Sequence, residues 1–191
     1  MTTIEQLIGR SRELLCDRYD STVLLRELVA LMNGITHDGL PPPGKMPDAN
    51  MSGWHKHDLH ATTRFSLDMF TIPRGQTIPL HDHPSMWVLM RALRGHLRVV
   101  AYDWVRQYHW GGLARPSYDL PLSAASDTLI VEPARGNIHR VVADNDCAFL
   151  DLTFPPYSER EQRQFHFYRV AGEELVDGER LTRLVRQVIA P

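Results

Sequence analysis

Apolar side chains recur at helical spacing along the first 35 residues. Ile4, Leu7, Ile8, Leu14 and Leu15 mark one segment, and Leu24, Leu25, Leu28, Val29 and Met32 mark a second. Two amphipathic helices are predicted. The second opens at Asp20 or Ser21, whose side chains can accept from the free N–H groups of a first turn. It closes at Asn33-Gly34, where glycine adopts a left-handed cap at least cost. Gly39-Leu40-Pro41-Pro42-Pro43-Gly44 lacks three backbone donors and predicts an extended connector. From Arg64 the texture changes to short apolar runs punctuated by Gly and Pro, at 65–72, 86–93, 96–104, 128–131, 138–142, 147–154 and 165–170. Short strands with frequent turns predict a mainly β sandwich or closed barrel. Leu181, Leu184, Val185, Val188 and Ile189 return to helical spacing and predict a C-terminal helix on the barrel's outside. The chain therefore divides into a helical extension over 1–40, packed on the barrel, and a barrel domain over 41–191 that includes this helix.

Bulk properties narrow the function classes. A length of 191 residues suits one domain with a sizeable core, and 43% hydrophobic with 23% charged residues is ordinary for a globular chain. The net charge of -2, without a basic tract, argues against nucleic acid or an anionic membrane as partner. Cys16 and Cys147 are too few for a disulfide framework and read as reduced, buried thiols. The N-terminus lacks a charged start followed by an apolar run, and no apolar stretch approaches the roughly 20 residues that cross a bilayer. A cytoplasmic monomer is expected.

The histidines carry the chemistry. In His81-Asp82-His83, residues two apart on a strand share a face about 7 Å apart, so two imidazoles can converge on one ion. His139, just after the turn at Arg135-Gly136-Asn137-Ile138, offers a third ligand from another strand. His55-Lys56-His57, with His60 nearby, is a second such pair and reads as a hydrated loop or strand edge. The flanks separate the two pairs. Gly75 stands six residues before His81, Pro84 follows His83, and Pro133 and Gly136 precede His139 by six and three.

Those flanks resemble the two motifs of the cupin superfamily, whose fold is a double-stranded β-helix (jelly-roll) barrel. The usual cupin glutamate is absent: its positions hold Trp87 and Val88, and the second motif's asparagine is Ala143. Ile78-Pro79-Leu80-His81-Asp82-His83-Pro84-Ser85-Met86 closely resembles the signature I-P-L-H-[DN]-H-P-G-M of the cysteamine dioxygenase and plant cysteine oxidase family. Tyr102-Asp103-Trp104, Gly136-Asn137-Ile138-His139, Cys147-Ala148-Phe149-Leu150-Asp151 with Pro155-Pro156-Tyr157, and His166-Phe167-Tyr168-Arg169-Val170 follow in family order. Ser85 replaces the family glycine. Phe165 and Phe167 replace the cysteine and tyrosine that some members crosslink, so no such crosslink can form.

The resemblance implies a non-haem iron(II) thiol dioxygenase with His81, His83 and His139 as metal ligands. Three neutral imidazoles would leave the ion positive, and a thiolate is the soft, anionic ligand it attracts. Dioxygen beside that sulfur would give a sulfinic acid, from cysteamine or from a cysteine at a peptide's N-terminus. Asp151 interrupts an apolar run, where a carboxylate is costly without a partner. It reads either as the partner of an arginine or, by the resemblance, as the group that orients the substrate amine. Tyr157 resembles the family's active-site tyrosine, which donates near the oxygen or thiol. Cys147 reads as a small buried hydrophobe, 86–90 as core or pocket wall, and Arg91 and Arg140 as surface residues that could meet a carboxylate. The alternatives are a non-catalytic cupin that binds a metal or ligand as sensor or store, and a different cupin enzyme.

Overall fold

The computed structural model describes residues 1–16, 21–36, 53–158 and 165–187; the proline-rich connector lies outside them. Among the described residues two helices, α1 (Ile4–Leu14) and α2 (Ser21–Asn33), precede eleven strands. The strands are β1 (His55–Ala61), β2 (Ser66–Ile72), β3 (Thr77–Asp82), β4 (Trp87–Arg94), β5 (His96–Tyr108), β6 (Gly111–Ser123), β7 (Leu129–Val131), β8 (Ile138–Ala143), β9 (Cys147–Phe154), β10 (Phe167–Val176) and β11 (Glu179–Gln187). One sheet runs β1-β2-β9-β4-β7, and a second set, β10-β11-β6-β5-β8-β3, closes on itself. The fold is mainly β, with a closed six-stranded barrel packed against a five-stranded sheet. No described helix is long and apolar enough to cross a membrane.

The two faces of the five-stranded sheet explain where the core sits. Val88, Met90, Cys147 and Phe149 face inward and pack on Leu97, Val99 and Val141 of the opposite strands. Leu67, Met69, Leu89, Leu150 and Leu152 face outward, where Leu7 and Leu14 of α1 and Leu28 and Met32 of α2 cover them. Each such buried aliphatic side chain is worth about 2 kcal/mol. Every residue of β9 is consequently buried, so its apolar run shows no alternation. The 86–90 segment is core throughout, with Leu89 on the helix side and Val88 and Met90 inside.

Helix α1 opens with a capping box: the Thr3 hydroxyl accepts from the Gln6 N–H, and the Gln6 side chain accepts from the Thr3 N–H. Gly34 does not take the expected left-handed conformation. It is small because a Cβ there would lie 2.3 Å from the Thr2 hydroxyl, where the Thr2 N–H donates to the Gly34 carbonyl. Cys16 is exposed rather than buried, because it follows the end of α1; Cys147 is buried as expected.

The C-terminal helix is not formed over the described residues. Leu181, Leu184 and Val185 lie on β11, which pairs with β10 and β6 inside the barrel, whereas Val188 and Ile189 fall outside the description. The reason is the two-residue turn Asp177-Gly178, with φ of 51° and 82°. Positive φ at both positions is the tight hairpin geometry that matches strand twist, so it sends the chain straight back along β10. Leu181 and Leu184 are buried, while Arg180 and Arg183 face outward to Glu173 and Glu174. His55-Lys56-His57 lies on β1, which is an edge strand of its sheet.

Candidate metal centre

Strand β3 carries His81 and ends at Asp82, with His83 one residue beyond; His139 is the second residue of β8. The register places His81 directly opposite His139. The three rings form a nearly equilateral triangle, with centroids 4.8 Å apart for His81–His83, 4.7 Å for His81–His139 and 4.9 Å for His83–His139. Their ligand atoms lie within 4.8 Å of one another, and no other group of this kind occurs among the described residues. His55, His57 and His60 therefore do not form a second centre.

Hydrogen bonds set the tautomers of His81 and His83. His81 Nδ1 lies 2.8 Å from the Pro79 carbonyl, which can only accept, so the proton is on Nδ1 and the Nε2 lone pair is bare. The Tyr157 hydroxyl donates to the Asp82 carbonyl at 3.2 Å and so accepts, at 2.6 Å, from His83 Nδ1–H. His83 Nε2 is buried with no partner. Burial holds all three imidazoles below their ordinary pKa; His81 and His139 push His83 further down, and His81 does the same to His139. Three neutral imidazoles, two of them (His83 and His139) with a buried ring nitrogen that makes no hydrogen bond, fit a divalent transition metal.

The surrounding residues lock these rings in place. Asn137 accepts from the His83 N–H at 3.0 Å and donates to its carbonyl at 2.6 Å. Asp103 accepts from the Gly136 N–H, tying β5 to the turn before His139. Gly136 has φ 66°, and a Cβ there would meet the Tyr118 ring at 2.3 Å, so glycine is required twice over. Asp82 points away from the triangle, accepting from the His166 N–H at 2.7 Å and the Tyr168 hydroxyl at 2.8 Å. Ser85 sits at φ 57° in the turn from His83 to Met86, so the turn keeps its glycine-like conformation without glycine.

The triangle opens on a cavity of about 180 Å³. This is smaller than the roughly 300 Å³ or more of a drug-sized site. Trp54, Phe70, Ile78, Val141 and Phe149 make an apolar wall, with Phe165 and Phe167 also lining the space. Phe165 packs edge-on against Phe167 at 5.2 Å and against Tyr157 at 5.4 Å.

Asp151 lies in this cavity, and among the described residues no arginine pairs with it. It is 6% exposed, its Oδ1 is buried without a hydrogen bond, and burial followed by the charge of Asp68 holds its carboxyl well above the usual range. Tyr157 also lines the cavity, its hydroxyl engaged by His83 and Asp82, and burial raises its pKa. Arg91 and Arg140 do not line the cavity; Arg91 donates instead to the carbonyls of Ser126 and Ala124. Cys147 donates weakly to the Ile72 carbonyl at 3.7 Å, and burial pushes its thiol up to about 11. Sequence reasoning overlooked Lys56 and Asp68, which also line the cavity. A signal for Asp68 existed: it interrupts an apolar strand, Leu67-Asp68-Met69-Phe70, just as Asp151 does.

A family profile described as PCO_ADO matches residues 48–186. The chain belongs to this family. Plant cysteine oxidase 2 of Arabidopsis thaliana is 37% identical over 115 residues, covering 58% of this chain and 42% of that protein. The 2-aminoethanethiol dioxygenase of Homo sapiens is 32% identical, covering 59% of this chain and 50% of that one. A Dictyostelium discoideum protein named "Probable 2-aminoethanethiol dioxygenase" is 29% identical, covering 88% and 82%. The chain thus spans about half the length of the plant and human relatives.

Proposed function

We propose that the protein is an iron(II)-dependent thiol dioxygenase that converts an amino-thiol, cysteamine or an N-terminal cysteine, and O2 into the sulfinic acid. The observation that carries this reading is the triangle of three neutral imidazoles facing a small cavity that also holds an unpaired buried carboxyl. Two oxygen atoms join the sulfur, R–SH + O2 → R–SO2H, and the sulfur supplies all four electrons, so no external reductant is required.

His81, His83 and His139 would hold the iron through their bare ring nitrogens. When bound, the metal supplies a Lewis-acidic centre that favours thiolate over thiol and holds both reactants together. The chain's own residues do the rest. Asp151 accepts hydrogen bonds from the substrate amine, which turns the thiol toward the histidines. Tyr157 holds the His83 ring through Nδ1, acting as a positioning residue. Phe149, Val141 and Ile78 exclude water and leave Asp151 as a polar contact for the amine end. A reducing cytoplasm, no nucleic acid or membrane partner, and action as a monomer go with this reading.

Mass spectrometry of a thiol panel in air tests it: cysteamine, cysteine, 3-mercaptopropionate and a peptide beginning with cysteine, with iron(II)-loaded protein and a His81→Ala control. A gain of two oxygen atoms on an amino-thiol, lost in the control, is expected. No gain on any thiol, with iron confirmed in the protein, would refute the activity.

A further inference from the structure

Three aspartates stand in line across three strands. Asp58 on β1 is directly opposite Asp68 on β2, and Asp68 is directly opposite Asp151 on β9. Directly opposed residues share a face with Cβ atoms about 5 Å apart, and like charges so placed repel. The line runs inward from solvent: the side chains of Asp58 and Asp68 are 74% and 11% exposed, and Asp151 is buried. Beyond Asp151 the next residue in register is Met90, and Asp151 lines the same cavity as the three histidines.

Among the described residues one cation, Lys56, pairs with this line. Lys56 pairs with Asp58 and, at 3.2 Å, with Asp68. It forms no ion pair with Asp151, whose Oδ1 has no partner. A buried, unpaired carboxyl is expensive, and one apolar residue on β9 would remove the cost. Its placement makes sense if a cation arrives from outside. We propose that Asp68 and Asp151 together form the seat for the substrate's ammonium group, with Lys56 a tethered cation that occupies Asp68 until substrate enters. This rests on the amino-thiol dioxygenase reading and adds to it Asp68 and Lys56 as the residues that set substrate preference. An entering ammonium takes over Asp68, and Lys56 keeps Asp58 at the solvent edge, so no charge is stranded during the exchange. The same lysine gives the cavity an electrostatic memory of its empty state, and thiols without an amine cannot displace it.

The test compares cysteamine with 2-mercaptoethanol, which carries a hydroxyl where cysteamine carries its ammonium, and with 3-mercaptopropionate, in the iron-loaded protein, Asp68→Asn and Lys56→Met. Asp68→Asn is expected to raise KM for cysteamine about tenfold, the scale of one charge-assisted hydrogen bond, and to leave that for 2-mercaptoethanol within about twofold. Lys56→Met should lower KM for cysteamine and raise it for 3-mercaptopropionate. Equal changes for the charged and neutral thiols, or a fall in kcat with KM untouched, would overturn the proposal. Lys56 is half exposed, so its variant supplies the answer if Asp68→Asn folds poorly. Anaerobic calorimetry reads the seat without turnover: a preference for cysteamine over 2-mercaptoethanol that Asp68→Asn abolishes supports it, and equal binding overturns it. A wild-type protein that oxidises no thiol yet shows that preference would refute the dioxygenase reading and leave the seat intact.

Discussion

At the scale of single residues, the site is a set of groups whose burial would be unfavourable anywhere else. Burial pushes Asp68 up to about 6, against the opposing pull of Lys56, and burial also holds Asp151 well above the usual carboxylate range. Because the folded state favours the protonated carboxyl, this contribution to stability is full below the unfolded value near 4. It is lost as pH rises through about 6. Asp68→Asn should therefore flatten the fall in stability between pH 4 and pH 6, by at most about 3 kcal/mol, in thermal melts of metal-free protein. Tyr157→Phe makes a separate prediction. It leaves His83 Nδ1–H without its acceptor, and loss of such an orienting partner weakens metal binding about 10–100-fold. Competition with a chelator would measure it; an unchanged affinity would show that Asn137 alone suffices to hold His83.

At the scale of elements, register and turns bring the ligands together. His81 and His139 meet because β3 and β8 are paired with those two residues opposite, and Asn137 then fixes His83 just past the strand end. The His83–Met86 turn has Pro84 second and Ser85 third with φ 57°, the arrangement of a type II turn, where glycine is favoured. Ser85→Val should cost about 1–3 kcal/mol, since a β-branched residue is strained at positive φ, while Ser85→Gly should be neutral or mildly stabilising. Urea midpoints of the two variants would check the contrast. The helical reading of the C-terminal segment failed at this same scale. Leu181, Leu184 and Val185 fit a helical stripe, yet Asp177-Gly178 was a hairpin signal in the same sequence, and the turn outweighed the spacing.

For the whole molecule, the helices and the metal site are on opposite faces of one sheet. Leu150 and Leu152 of β9 pack under α1 and α2, while Asp151 and Thr153 of the same strand line the cavity. The helices thus bury the back of the strand that carries the carboxyl. Leu28→Ala, which removes a fully buried side chain from α2, should cost about 2–5 kcal/mol and leave metal affinity unchanged. Chemical denaturation with a parallel metal titration would show it, and a matching loss of metal affinity would mean that the two faces are coupled.

Local chemistry was legible in the chain itself. The spacing of His81 and His83, the glycine and prolines around them, and His139 after its turn all depend on neighbours within a few residues. Asp151 stood out because a lone carboxylate in an apolar run always needs an explanation. What only the tertiary structure decided was partnership across strands. Asp58, Asp68 and Asp151 are far apart in sequence, and their alignment depends on the registers of β1, β2 and β9. Whether Asp151 met an arginine or an empty space, and whether Lys56 belonged to a surface strand or to the site, turned on the same pairing. Long-range register is set by packing of both sheet faces at once, which no single segment of sequence contains.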